Sequence, residues 1–226
     1  MPLNEELSLP GTIVPPMTPF NEDGSVNYDS LEIIVDHVVE DCDASMVVAA
    51  GVEAQEYQYL DFEDRKELIQ KTIELVNGRK PVAVGVSHPS LLMVNKLAEF
   101  AAVNGATAVQ LLVPNRPTGG NPTLSEHISY FESVLGQTDL PMMLYLNPGP
   151  GADLSLDATI ELAQLDGVEY IKESSRDLSR VSRLINEIEL AGIARYFTTM
   201  QMFLSTLMLG GSGVTLPAPA ALIAKQ

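Results

Sequence analysis

A lysine and a tyrosine sit in this chain where they could do carbonyl chemistry. Lys172 lies in VEYIKESS, residues 168–175, at the end of an apolar stretch that reads as a short buried strand. There are six lysines. Lys66 and Lys71 fall in the charged stretch 61–79, Lys80 in the turn after it, Lys96 among alternating polar positions and Lys225 beside the chain end. Those five read as solvent residues. An amine in an apolar strand is desolvated, which lowers its pKa, and a neutral amine attacks a carbonyl. The opposing reading pairs a strand-end lysine with a carboxylate such as Glu173. Tyr145 ends an earlier apolar stretch, residues 141–146. A phenol there either carries protons for an imine-forming lysine or is a core tyrosine with a satisfied hydroxyl.

The elements that must position these two alternate along the chain. Apolar runs at 11–15, 45–50, 81–86, 108–113, 141–146, 170–172, 194–198 and 213–216 read as strands. Amphipathic stretches at 28–39, 61–76, 90–104, 125–135, 156–165, 179–190 and 202–209 read as the helices between them. Such alternation implies a parallel sheet with right-handed crossovers. Eight strands and seven helices point to a (β/α)8 TIM barrel of the α/β class, forming one domain over residues 1–226. A doubly wound open sheet is the rival, but no GxGxxG follows the first strand. Such a barrel typically takes about 250 residues, and this chain ends some ten residues after strand eight, apparently short of its last helix or helices. The expectation is either a truncated chain or another element covering strands one and eight. In a barrel the C-terminal strand ends carry the active site. Tyr145 and Lys172 are both at that end, on adjacent strands about 4.8 Å apart, and would meet inside.

Composition narrows the partners. Thirteen Lys plus Arg stand against 30 Asp plus Glu, a formal net charge of −17, which argues against nucleic acid or an anionic membrane. No apolar run approaches the ~20 residues of a membrane span, and residues 1–9 lack the basic start of a signal peptide. Cys42 is the only cysteine, which fits a reducing cytoplasm. His37, His88 and His127 have no ligand spacing, and no HExxH or CxxC occurs, so no metal site is expected. His37 reads as a packing residue, whereas His88 follows strand three. The run 210–213, GGSG, is shaped like a phosphate cradle, but it precedes strand eight at the stability face, where close packing is the better reading. Arg116, in a loop at the C-terminal face, either grips a substrate carboxylate or is a solvated loop residue.

Several segments in order resemble one family. GTIVPPMTPF (11–20) followed by DGSV (23–26) is similar to its opening strand and turn. AVGV (83–86) and LAEFAAVNGA (97–106) fit its third unit, LYLNP (144–148) its tyrosine strand, YIKESS (170–175) its lysine strand and GGSGVT (210–215) its last strand. The family is that of dihydrodipicolinate synthase and N-acetylneuraminate lyase, class I Schiff-base aldolases, and the resemblance runs from Gly11 to about Ala218. It implies a dimeric or tetrameric barrel that joins its lysine to a small α-keto acid, usually pyruvate, without metal or cofactor. Lys172 would be the nucleophile and Tyr145 the proton shuttle.

The departures from that pattern bear on substrate choice. Many members hold the keto acid's carboxylate with a hydroxyl pair after strand two. This chain has GVEAQE (51–56), in which Glu53 and Ala54 replace the pair and Glu56 takes the family glutamate. A glutamate repels a substrate carboxylate unless one of the two is protonated. Glu53, Ala54, Gln55 and Glu56 would line the mouth, with Thr18 and Thr215 as further contacts. The second tyrosine after strand four is missing, as is the arginine after Pro148 that synthases use for their second substrate. The expected reaction is therefore another aldol cleavage, condensation or dehydration on a keto acid or keto sugar acid. Two other classes remain: an inactive barrel that binds a metabolite or serves in an assembly, and a metal-dependent class II aldolase, which the ligand spacing disfavours.

Overall fold

In the computed structural model, residues 11–51, 59–116, 118–217 and 221 are described. Eight parallel strands close into a barrel in sequence order: β1 Gly11–Val14, β2 Met46–Ala49, β3 Val82–Gly85, β4 Ala108–Leu112, β5 Met142–Leu146, β6 Val168–Glu173, β7 Arg195–Thr199 and β8 Gly213–Thr215. β1 pairs with β2 and with β8, which closes the ring. The seven helices among the described residues are α1 Tyr28–Asp36, α2 Phe62–Val76, α3 Leu91–Val103, α4 Leu124–Leu135, α5 Leu156–Ala163, α6 Leu178–Leu184 and α7 Phe203–Met208. The (β/α)8 expectation holds.

The strands read as unbroken apolar runs because both of their faces are buried. One face fills the barrel with Ile13, Met46, Val48, Ala83, Ala108, Met143, Tyr170 and Phe197. The other meets the helices, as Val47, Val84, Val109, Leu144, Ile171 and Val214 do. Helix starts follow side-chain chemistry. Asn27, Asp61, Ser155 and Asp177 each accept a backbone N–H, and Thr123 with Glu126 forms a full capping box at α4.

Two details depart from the sequence expectation, and the GGSG run follows it. The stretches 28–39 and 179–190 do not stay α-helical: α1 and α6 each end in a five-residue π segment, His37–Asp41 and Ile185–Glu189. β6 spans Val168–Glu173, beyond the triplet 170–172 at both ends, and a register shift opposite Met142 and Met143 skips Glu169 near its start. At the closing seam the GGSG run is a packing device. A Cβ on Gly213 would run into the Gly11 carbonyl oxygen, and one on Gly211 would lie 2.6 Å from Thr206 Cγ2.

Candidate active site

The extra residue in β6 decides which side chains meet. Met142 stands opposite Val168 but Met143 opposite Tyr170, so that Tyr145 comes level with Lys172. Unshifted pairing would put outward-facing Ile171 there and turn the lysine out of line. Lys172 and Tyr145 are 4% and 2% exposed. Lys172 Nζ stands 3.5 Å from the centre of the Tyr145 ring, within reach of the attraction a π face exerts on a cation. It also donates to Ser174 Oγ at 3.3 Å. Asn147 Nδ2 donates to the Tyr145 hydroxyl at 3.0 Å, so the phenol oxygen acts as an acceptor there. Ser174 and Asn147 were missed by sequence reasoning. Each lies two residues beyond the group it holds, a spacing that any strand–loop junction supplies.

Glu173 makes its close ion pair with Arg180, and the Lys172 charge acts on it only as the smallest of the lowering influences. It points to the other face of β6, is fully buried, and its Oε2 meets Arg180 Nε of α6 at 3.1 Å. Burial pushes its carboxyl above the ordinary range, with Arg180 and the Ser175 N–H pulling the other way. Tyr196, on the same outer face, is also pushed well above the usual phenol value, first by burial and then by Glu173.

The remaining candidates fall in different places. Thr215 is an inward-facing residue at the top of β8, level with Thr199 of β7. Both have buried hydroxyl oxygens with no hydrogen-bond partner among the described residues. Thr18 is half-buried in the loop after β1. Arg116 is engaged by Glu126 of the α4 capping box, and its Nη1 donates to Gly119 O at 3.4 Å. It lines a cleft of about 260 Å3 with His88, Asn115, Tyr130 and Leu112. Leu112 also packs on Tyr145, so this cleft adjoins the Lys172–Tyr145 pair, which does not line it. Glu53, Ala54, Gln55 and Glu56 lie outside the described residues.

The histidines keep to packing and turns. His37 Nδ1 meets Asp41 at 2.8 Å, and His127 Nε2 meets the Pro114 carbonyl at 3.1 Å. His88 accepts from the Ser90 N–H at 2.9 Å, and burial, followed by the Arg65 charge, holds it below the ordinary imidazole value. Arg65 itself was not singled out from sequence. It is 2% exposed and ties α2 to the end of β3 through Gly85 O at 2.6 Å and Ser87 O at 2.7 Å. Among the described residues no three His, Cys, Asp or Glu are placed to hold a metal. None of the described helices is long and apolar enough to cross a membrane.

Known proteins resemble this chain in sequence and in fold. The model of the dihydrodipicolinate synthetase family matches residues 8–219. The 4-hydroxy-tetrahydrodipicolinate synthase of Ralstonia nicotianae is 33% identical over 207 residues, spanning 90% of this chain and 67% of that one. The chloride-inhibited dihydrodipicolinate synthase of Acinetobacter baumannii, solved with pyruvate, superposes with a TM-score of 0.84 at 26% identity, over 96% of this chain and 73% of its own. The N-acetylneuraminate lyase of Mycoplasma synoviae shares the fold, with a TM-score of 0.83 at 21% identity over 100% of this chain and 73% of its own.

Proposed function

The chain belongs to the dihydrodipicolinate synthetase family and is a class I aldolase or lyase of that type, and from that premise we propose that Lys172 forms an imine with a small α-keto acid, pyruvate first among them. The observation that carries this reading is the buried Lys172 amine set against Tyr145 at the C-terminal mouth of the barrel. In the proposed reaction the amine attacks the keto carbon. The carbinolamine then loses its hydroxyl as water, taking a proton that Tyr145 relays. The iminium that remains accepts the electron pair when a C–C bond breaks or an α-proton leaves, so the reaction needs no cofactor. The Thr215 hydroxyl supplies a donor within the same mouth, and Ser174 and Asn147 orient the two reacting groups.

Residues 53–56 and the loop after Pro148 support a reaction other than lysine-precursor synthesis: an aldol cleavage, a condensation or a dehydration of a keto acid or keto sugar acid. The main reasons are the missing second tyrosine after strand four and the missing arginine after Pro148, which synthases use for their second, carboxylated substrate, while Glu53 bears on how the keto acid's own carboxylate is held. A homodimer or homotetramer in the cytoplasm belongs to this reading too, and sedimentation of the purified chain tests the assembly.

Borohydride trapping with a panel of α-keto acids tests the chemistry, read by intact and peptide mass, with Lys172→Ala beside the parent. The expected result is a reduced pyruvate adduct on Lys172 that the variant lacks. No adduct from folded parent protein with any acid overturns the aldolase reading and leaves a metabolite-binding barrel.

A further inference from the structure

The Glu173–Arg180 pair sits behind the catalytic lysine, outside the barrel, where the proposed reaction has no use for charge. A buried ion pair is weak evidence for stability, because removing two charges from water offsets their attraction. Its connections give it another use. Glu173 Oε1 accepts the Ser175 N–H at 2.9 Å, fixing the turn that brings Ser174 Oγ to Lys172 Nζ. Ser174 N in turn donates to Leu146 O at 2.9 Å, which extends the β5–β6 ladder past the lysine.

Arg180 uses all three of its nitrogens. Nε meets Glu173 Oε2 at 3.1 Å, Nη1 donates to Leu154 O at 2.9 Å and Nη2 to Thr159 Oγ1 at 3.0 Å. Leu154 ends the loop that leaves β5 and begins at Asn147, the residue holding the Tyr145 hydroxyl. That loop is also pinned by Gly151 N to Asn147 O at 2.9 Å and by Ala152 N to Val113 O at 3.0 Å. A single planar guanidinium thus joins the loop after Tyr145 to the loop after Lys172.

We propose that Glu173 and Arg180 are positioning residues that set Lys172 and Tyr145 against each other by clamping those two loops from outside the barrel. The proposal rests on the imine-forming reading of the site. Lysine cannot substitute for the fork: an ammonium supplies charge to Glu173 but cannot reach Leu154 O and Thr159 Oγ1 together. Misplacement of reacting groups by about 1 Å slows a reaction by about 100-fold.

The test is the rate of pyruvate–imine formation by quenched borohydride trapping, measured across pyruvate concentrations on parent, Arg180→Lys and Thr159→Val, with thermal melts of each. Parent without any adduct sinks the underlying chemistry and this proposal with it. With an adduct in the parent, Arg180→Lys is expected to stay folded and to form imine at least about 30-fold more slowly at saturation. Its half-saturating pyruvate concentration should stay within about threefold, since the keto acid is held by the mouth rather than by the clamp. Thr159→Val removes one arm and leaves the ion pair, and should slow the same step by about three- to tenfold. It decides the matter if Arg180→Lys does not fold. A parental rate in either folded variant overturns the proposal. So does a change in half-saturation alone, with the saturated rate intact.

Discussion

Two carboxylates brace the barrel wall from outside, at opposite ends. Glu173 is at the C-terminal end of β6 and engages a cation and one backbone N–H. Glu189 follows α6 and reaches the N-terminal ends of β7 and β8. It accepts Tyr196 N at 2.5 Å, Ser212 N at 3.1 Å and Ser212 Oγ at 2.9 Å. Glu189 staples two strand starts with ordinary N–H and O–H donors, half-exposed and next to solvent. Glu173 is wholly desolvated and carries a charge partner that reaches two further elements. The first arrangement closes a ring, and the second holds two loops in register. With the proposed chemistry at the C-terminal face, the difference would separate stability from function along a single wall.

The sharpest way to break that contrast is at the closing seam. Gly213→Ala puts a methyl group against the Gly11 carbonyl, a backbone atom that can yield only by parting β8 from β1. It should cost about 4 kcal/mol or more, the range reserved for severe overpacking, read as a collapse of the denaturant midpoint. Whatever folded fraction remains should trap pyruvate at the parental rate per molecule. A slow variant with a normal midpoint would put function at the wrong end of the barrel.

Tyr145→Phe asks the opposite question at the other end. It keeps the ring beneath Lys172 Nζ and removes only the hydroxyl that Asn147 holds. Imine formation should fall by about 100-fold, in the range for loss of a positioned proton carrier, while the melting temperature shifts by a few degrees at most. An unchanged rate would remove Tyr145 from the proton path and leave it as a packing ring.

These two sites also mark what could be read from residue order. Apolar runs alternating with amphipathic stretches carry period and length, so the barrel and every strand were legible to within a few residues. The pairing of Tyr145 with Lys172 was legible as well, since both end strands that a barrel must place side by side. The one-residue shift that brings them level was not, because nothing in VEYIKE announces which residue is skipped. Nor was the clamp legible. Arg180 looks like any polar residue in the first turn of a helix, and its three partners come from elements 7 to 26 residues away. Burial of Glu173 was hidden for the same reason: its sequence neighbour Lys172 suggested a local pair, while strand alternation sends the two to opposite faces.

Glu189→Ala is a milder probe of the stability end. It orphans two backbone N–H groups at the edge of a solvent-lined cavity, where water takes over part of their bonding. A loss of about 2 kcal/mol follows, with the imine rate unchanged. A slowed imine would mean that the β7 and β8 starts transmit to the catalytic face, and the two carboxylates would then differ only in degree.

The smallest effect separates the carboxylates by pH. Burial holds the Glu173 carboxyl above its unfolded value, so over the intervening range the folded chain binds the proton more tightly than the unfolded one does. Stability from this group is therefore fully present below the ordinary glutamate pKa of about 4.3 and declines as pH rises through the folded value. Glu173→Gln cannot titrate. The parent's advantage over it should be greatest in acid and shrink as pH is raised, which melts of both proteins at stepped pH from about 4 upward will read. If the advantage grows with pH instead, the Arg180 charge outweighs desolvation. The buried pair would then stabilise the fold in its own right, as Glu189 does at the other end, and its placement behind Lys172 would no longer need a positioning role to explain it.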